Sequence, residues 1–248
     1  NMNIQKNKIG IIGLGLIGGS IALRLKQLGH SIVGFDPQPN QFSNAISILE
    51  VFQQCQIVFV CVPLNKLQSI VKIALESKSN CLITDVGSVK TPISNFSSKI
   101  CKPTRWIPGH PMAGKETSGF ISADPNLFID KTWALTPLPH TSSQDLSLLC
   151  SIIKSLGATP LITSVGSHDQ AVSGISHLPH LLACCLVDTV IKGSSWKLAQ
   201  SLAASGFRDT SRVAESSPEM HLAICKANRK NILQDLDSLI NNLSKAKL

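Results

Sequence analysis

Two sets of residues in this chain could do chemistry: glycines spaced to admit a phosphate, and histidines and arginines set beside rigid turns. Gly13-Leu14-Gly15-Leu16-Ile17-Gly18 follows an apolar run and opens a helical one. The first glycine permits a tight turn, the second lets the backbone approach a pyrophosphate, and the third lets helix and strand pack closely. Asp36 closes the next apolar run 18 residues after Gly18, where a carboxylate takes a ribose hydroxyl. A plain glycine turn is the alternative, but the strand–turn–helix context with its acid favours a dinucleotide site. Asp36 would repel a 2′-phosphate, and no Lys or Arg follows it before Lys66. NAD is therefore expected, with NADP as the alternative.

The acid–base candidates lie further on. Asp85-Val86-Gly87-Ser88-Val89-Lys90 ends a strand, where ligands gather in open parallel sheets. Ser88 there reads either as a helix cap or as a site residue. Gly109-His110-Pro111 holds an imidazole in a loop between a flexible and a rigid residue, which suits proton transfer; a surface histidine is the alternative. His177 and His180 flank Pro179, and a proline inside a helix costs about 3 kcal/mol and kinks it. The kink would aim both rings; two packed core histidines are the alternative. A zinc pair would need a third ligand at a useful spacing, so no metal is expected. Arg208 and Arg212 stand four apart in Gly206–Arg212. Arg208 is expected to pair with Asp209 or another neighbour, leaving Arg212 to grip a carboxylate.

The elements that must position these groups alternate through residues 1–165. Strands are expected at Lys8–Gly13, Ser31–Phe35, Gln56–Val62, Cys81–Val86, Arg105–Ile107, Trp133–Thr136 and Thr159–Thr163. Helices at Ser20–Leu28, Leu64–Ser77 and Gln144–Leu156 lie between them. This alternation predicts an α/β domain, a mainly parallel sheet with helices on both faces. The span Asp36–Gln56 is too short for a full helix–strand–helix, so a strand or helix should be missing there. Residues 166–248 read as helices only. Ser167 with Gln170 suggests a capping box. The stretch 171–191 is apolar nearly all round and should be buried on every side, which about 80 residues achieve only as a dimer.

Composition narrows the chemistry further. The 248 residues include no tyrosine, where about 7 would be usual, so no phenolic acid or base can operate. Net charge is +8, but the basic residues are scattered, unlike the patch of a nucleic-acid protein. The eight cysteines form no C-x-x-C pair and read as reduced thiols of a cytoplasmic chain. The run Ile9–Leu23 is broken by five glycines and is too short to span a bilayer. Neither a nucleic-acid nor a membrane partner is expected.

Taken together, the segments GLGLIGGS (13–20), TDVGSVK (84–90), GHPMAG (109–114), HDQAV (168–172), SHLPH (176–180) and SGFRDTSR (205–212) resemble the prephenate/arogenate dehydrogenase family, cyanobacterial type. The resemblance implies a Rossmann-type domain at 1–165, then a helical substrate and dimerisation domain at 166–248 forming a homodimer. It implies oxidative decarboxylation of prephenate or arogenate with hydride transfer to NAD(P). His110 would take the hydroxyl proton, and Ser88 would orient His110 near the nicotinamide. Arg212 would hold a substrate carboxylate, with His180 and His177 lining that pocket. Gly13, Gly15, Leu16, Ile17, Gly18, Asp36, Val62 and Ser88 would hold the cofactor. No fused mutase or regulatory domain is expected. Other small dehydrogenases of the 3-hydroxyacid or imine reductase type, and a non-catalytic dinucleotide sensor, are the alternatives.

Overall fold

The computed structural model describes residues 8–98 and 105–246; Cys101, one of the expected reduced thiols, lies outside them. The chain divides into two compact units, Asn1–His168 and Asp169–Leu248.

In the first unit the order is β1 (Lys8–Ile12), α1 (Leu16–Gln27), β2 (Ser31–Phe35), α2 (Ile48–Gln54), β3 (Ile57–Val60), α3 (Leu64–Glu76), β4 (Leu82–Asp85), α4 (Thr91–Ser98) and β5 (Trp106–Ile107). There follow β6 (Gly109–Pro111), β7 (Thr132–Leu135), α5 (Ser143–Ser155), β8 (Thr159–Ile162) and α6 (Val165–Val172), whose end enters the second unit. Five parallel strands pair in the order β2-β1-β3-β4-β5. The order reverses at the end of β1, so the glycine loop sits at the switch point where open parallel sheets bind ligands.

Both sheet faces are covered, which explains the nearly continuous apolar strands. Ile9, Ile11, Ile57, Phe59 and Leu82 face one core with Ile21, Leu25, Leu149 and Ile152 of α1 and α5. Their neighbours Ile12, Val58, Val60 and Ile83 face the other with Val51, Phe52, Leu67, Ile70 and Ile93 of α2, α3 and α4.

Two expectations need correction in this unit. The expected single sheet is two, because β6, β7 and β8 form a separate three-stranded sheet with β6 and β7 antiparallel. His110 therefore lies on a strand opposite Ala134, where a loop was expected. A Pro-ended run of three residues carries too little periodicity to be read as a strand. The short span after Asp36 does lack a strand. Asn44 closes the β2 edge in its place: its Oδ1 accepts the Gly34 N–H at 2.9 Å and its Nδ2 donates to the Ile32 carbonyl at 2.9 Å. A side chain thus occupies edge groups that would otherwise seek another strand.

In the second unit, α7 (Leu178–Ile191), α8 (Trp196–Leu202), α9 (Ser205–Ser211), α10 (Pro218–Ala227) and α11 (Arg229–Lys245) follow α6. The cap of α6 is Ser164, not Ser167: its hydroxyl accepts the Ser167 N–H at 3.1 Å, and Gln170 instead bonds Asp235. Pro179 produces no break. A π-helical turn at Ser173–His177 precedes it, and that wider turn accommodates a ring that would clash with the carbonyl four residues back. The expectation that 171–191 is buried all round fails within one chain. In α7 only His180 and Ala183 are buried, while Leu182 and Ile191 stand exposed. By length and composition alone, Val165–Ile191 could cross a membrane.

Candidate active site

The glycine loop is built as its spacing demands. Gly13 adopts φ +90°, and a Cβ there would run into the Cys61 carbonyl. A Cβ on Gly18 would overlap the Gly13 carbonyl, whereas one on Gly15 would meet nothing within 4 Å. The first and third glycines therefore serve packing, and the second leaves open space. Gly15 caps α1 without a side-chain bond, and the first turn, with Leu16 and Ile17, holds no acid. An anion fits such an end, because the first N–H groups lack helical partners. Val62 is half-buried beside Gly13. Asp36 reaches across the loop, where its Oδ2 accepts the Leu14 N–H at 2.6 Å and its Oδ1 that of Gln38 at 2.7 Å. Open space at Gly15, the uncapped helix end and this placed carboxylate fit a dinucleotide.

His110 is half-buried on β6, and its Nδ1 lies 2.9 Å from Nε2 of His168, a buried residue of α6. Ser88 is half-buried in the loop between β4 and α4. His168 opens the HDQAV segment, and its place in that motif was the available sign of it.

In the second unit His180 is buried and its Nδ1 donates to the Val213 carbonyl at 2.9 Å. That bond ties α7 to the short 3-10 turn Arg212–Glu215, which begins at the exposed Arg212. Arg208 is exposed too, and the pair expected with Asp209 is not among the ion pairs of the described residues. His177 is buried, and its Nδ1 accepts from the Asn228 amide at 3.1 Å. The same amide donates to the Asp169 carbonyl at 2.7 Å. Asn228 was not legible, since it lies 51 residues from His177 with no motif around it.

The His221 ring stacks on His180 with centroids 3.4 Å apart and planes 8° apart. Burial, and then the neighbouring His180, push His221 down from 6.5 to about 4. Between those values the unfolded chain takes up a proton that the folded chain refuses. Stability is thus complete above this window and falls as pH drops through it. Denaturant midpoints at about pH 7 and about pH 4.5 should show that loss, and His221→Gln should flatten it.

A dinucleotide loop at the switch point of a parallel sheet, with an imidazole on the chain just beyond the last strand, is the layout of a nicotinamide-dependent oxidoreductase. Comparison with known proteins narrows the class. Residues 21–161 match the prephenate dehydrogenase nucleotide-binding domain, and residues 164–248 match the prephenate dehydrogenase dimerization domain. The chain belongs to the prephenate dehydrogenase family. It is 34% identical over 265 residues to a prephenate dehydrogenase of Bacillus subtilis, covering 99% of this chain and 71% of that protein. Its structure is similar to that of Synechocystis arogenate dehydrogenase, with a TM-score of 0.83 and 33% identity over 96% of this chain and 90% of that one. It is also similar to Aquifex aeolicus prephenate dehydrogenase in complex with hydroxyphenyl propionate and NAD+. That TM-score is 0.87, at 28% identity over 98% of this chain and 90% of that one. The expected family and the α/β-plus-helical architecture are borne out.

Proposed function

We propose that this chain oxidises the ring alcohol of prephenate or arogenate, with loss of the ring carboxylate as CO₂, to give 4-hydroxyphenylpyruvate or tyrosine. The observation that carries the reading is the imidazole of His110, held through Nδ1 by His168 at 2.9 Å. With Nδ1 of His110 turned to His168, Nε2 is the ring nitrogen that takes the substrate hydroxyl proton. His168, accepting through Nε2, then stabilises the imidazolium that forms. Aromatisation drives the loss of CO₂, so positioning and one proton acceptor are the main demands on the protein.

The hydride acceptor is supplied by a nicotinamide dinucleotide, for which the glycine loop, Val62 and Asp36 are the holding residues, with Ser88 on the neighbouring loop. NAD is preferred over NADP, because the Asp36 carboxylate would meet a 2′-phosphate charge on charge. Arg212 grips a substrate carboxylate, and the His180 bond to the Val213 carbonyl steadies its turn. His177, held through Nδ1 by Asn228, lines the same pocket.

The exposed Leu182, Ile191, Leu198, Leu202 and Leu222 are covered by a second copy of the chain, a reading that the dimerization-domain match supports over a lipid surface. We place the homodimer in the cytoplasm. Domain limits of 1–165 and 166–248 remain the functional division proposed, with His168 reaching back from the first helix after the sheets. Initial rates with prephenate and arogenate, each against NAD and NADP, test the reading by nicotinamide absorbance. Turnover of at least one substrate, faster with NAD, is expected; no turnover of either would overturn it.

A further inference from the structure

The five-strand sheet buries a complete ion pair beside the loop that carries Ser88 and the strand β6 that carries His110. Lys90 and Asp85 are both 0% exposed, and Lys90 Nζ is paired with Asp85 Oδ1. The same ammonium donates to the Gly109 carbonyl at 2.5 Å. Asp85 Oδ1 also accepts the Gly87 N–H at 2.9 Å, and Oδ2 accepts Trp106 Nε1 at 3.1 Å. Two glycines make room for this cluster. A Cβ on Gly87 would lie 3.1 Å from Asp85 Oδ1, and one on Gly109 would lie 2.9 Å from the Asp85 carbonyl oxygen.

Burying two charges costs most of what their attraction returns, and apolar residues of the same volume usually stabilise as well. What the pair does uniquely is join two backbone segments at a fixed distance. One is the β4–α4 loop, with Ser88 between the Gly87 and Lys90 contacts. The other is the start of β6, where the Gly109 carbonyl immediately precedes His110. We infer that Asp85 and Lys90 are positioning residues, an ionic clamp that sets the Ser88 loop and the His110 imidazole relative to each other. The inference rests on the proposed role of His110, and the clamp acts through backbone without touching substrate.

The test separates geometry from stability. Lys90→Met leaves Asp85 buried and uncompensated, so its melting temperature should fall; the double variant Asp85→Asn with Lys90→Met removes both charges and should recover much of it. If the clamp positions the site, kcat stays about 100-fold down in the double variant, as displacements near 1 Å do, while the dinucleotide Kd changes by less than about 3-fold, under about 0.7 kcal/mol. If kcat returns to the wild-type value along with stability, the pair is structural only and the inference is overturned. Wild-type turnover is the control for the function itself. Should the wild type turn over neither substrate, the His110 ring resonances of the folded double variant decide instead. A shifted imidazole signal supports the clamp, and an unmoved one overturns it.

Discussion

Replacing His110 with asparagine is expected to lower kcat about 100-fold or more, the usual contribution of a positioned general base. Asparagine preserves the polarity and much of the volume at a half-buried position on β6, so the strand pairing with Ala134 should persist. What it removes is the lone pair that takes the hydroxyl proton. The loss should therefore fall on kcat, with dinucleotide affinity unchanged, since the glycine loop and Asp36 are untouched. The acidic limb of the pH–rate profile, which the imidazole produces because it must be deprotonated to act, should disappear with it. Steady-state rates across pH, with the dinucleotide Kd from fluorescence, check both parts. A variant with full activity would show the base to be another group.

Gly18→Ala should have the second large effect, and its target is the cofactor. The added Cβ would overlap the Gly13 carbonyl and lie 3.0 Å from the Cys61 Cβ. Neither neighbour is the far end of a flexible side chain, so no rotamer change relieves the contact and α1 must move. Overpacking of this kind costs about 1–3 kcal/mol. If that strain is expressed at the helix N-terminus, dinucleotide affinity drops about 5- to 150-fold. Gly15→Ala supplies the contrast. Nothing lies within 4 Å of its Cβ, so thermal stability should hold while the methyl obstructs the approach of a pyrophosphate. Melting temperatures and dinucleotide titrations of the two variants distinguish packing from contact. Equal loss of stability in both would contradict the division of labour within the loop.

How much of this was legible depended on the range over which each feature is encoded. The glycine loop could be read because all its constraints lie within a few residues of one turn: a positive φ at Gly13, a bare backbone at Gly15 and a close approach at Gly18. Strand Ser31–Phe35 has the limits expected of it, since Asp36 and Gly29 punctuate it on either side. α3 and α5 fall within a residue of their expected limits, their apolar faces repeating at helical spacing. The brevity of the span after Asp36 announced a missing strand or helix, though not which of the two, nor that Asn44 would close the β2 edge.

The partnership of His110 and His168 was decided by the tertiary fold. They are 58 residues apart and meet only because β6, β7 and β8 form a second sheet that returns the chain to α6. The sequence marked His110 as an acid–base candidate by type and flanking residues, but did not pair it with His168. The clamp shows the same limit: the spacing of Asp85 and Lys90 is local, but their burial and the bond to the Gly109 carbonyl depend on β4, β5 and β6 coming together. The outer face of α7 shows the opposite case, since its composition called for burial that one copy of the chain does not provide. Periodicity and turn chemistry are properties of neighbouring residues and can be read in order. Which ring faces which, and which charge is sealed from water, is fixed where distant segments cross, and there spacing along the chain carries no information.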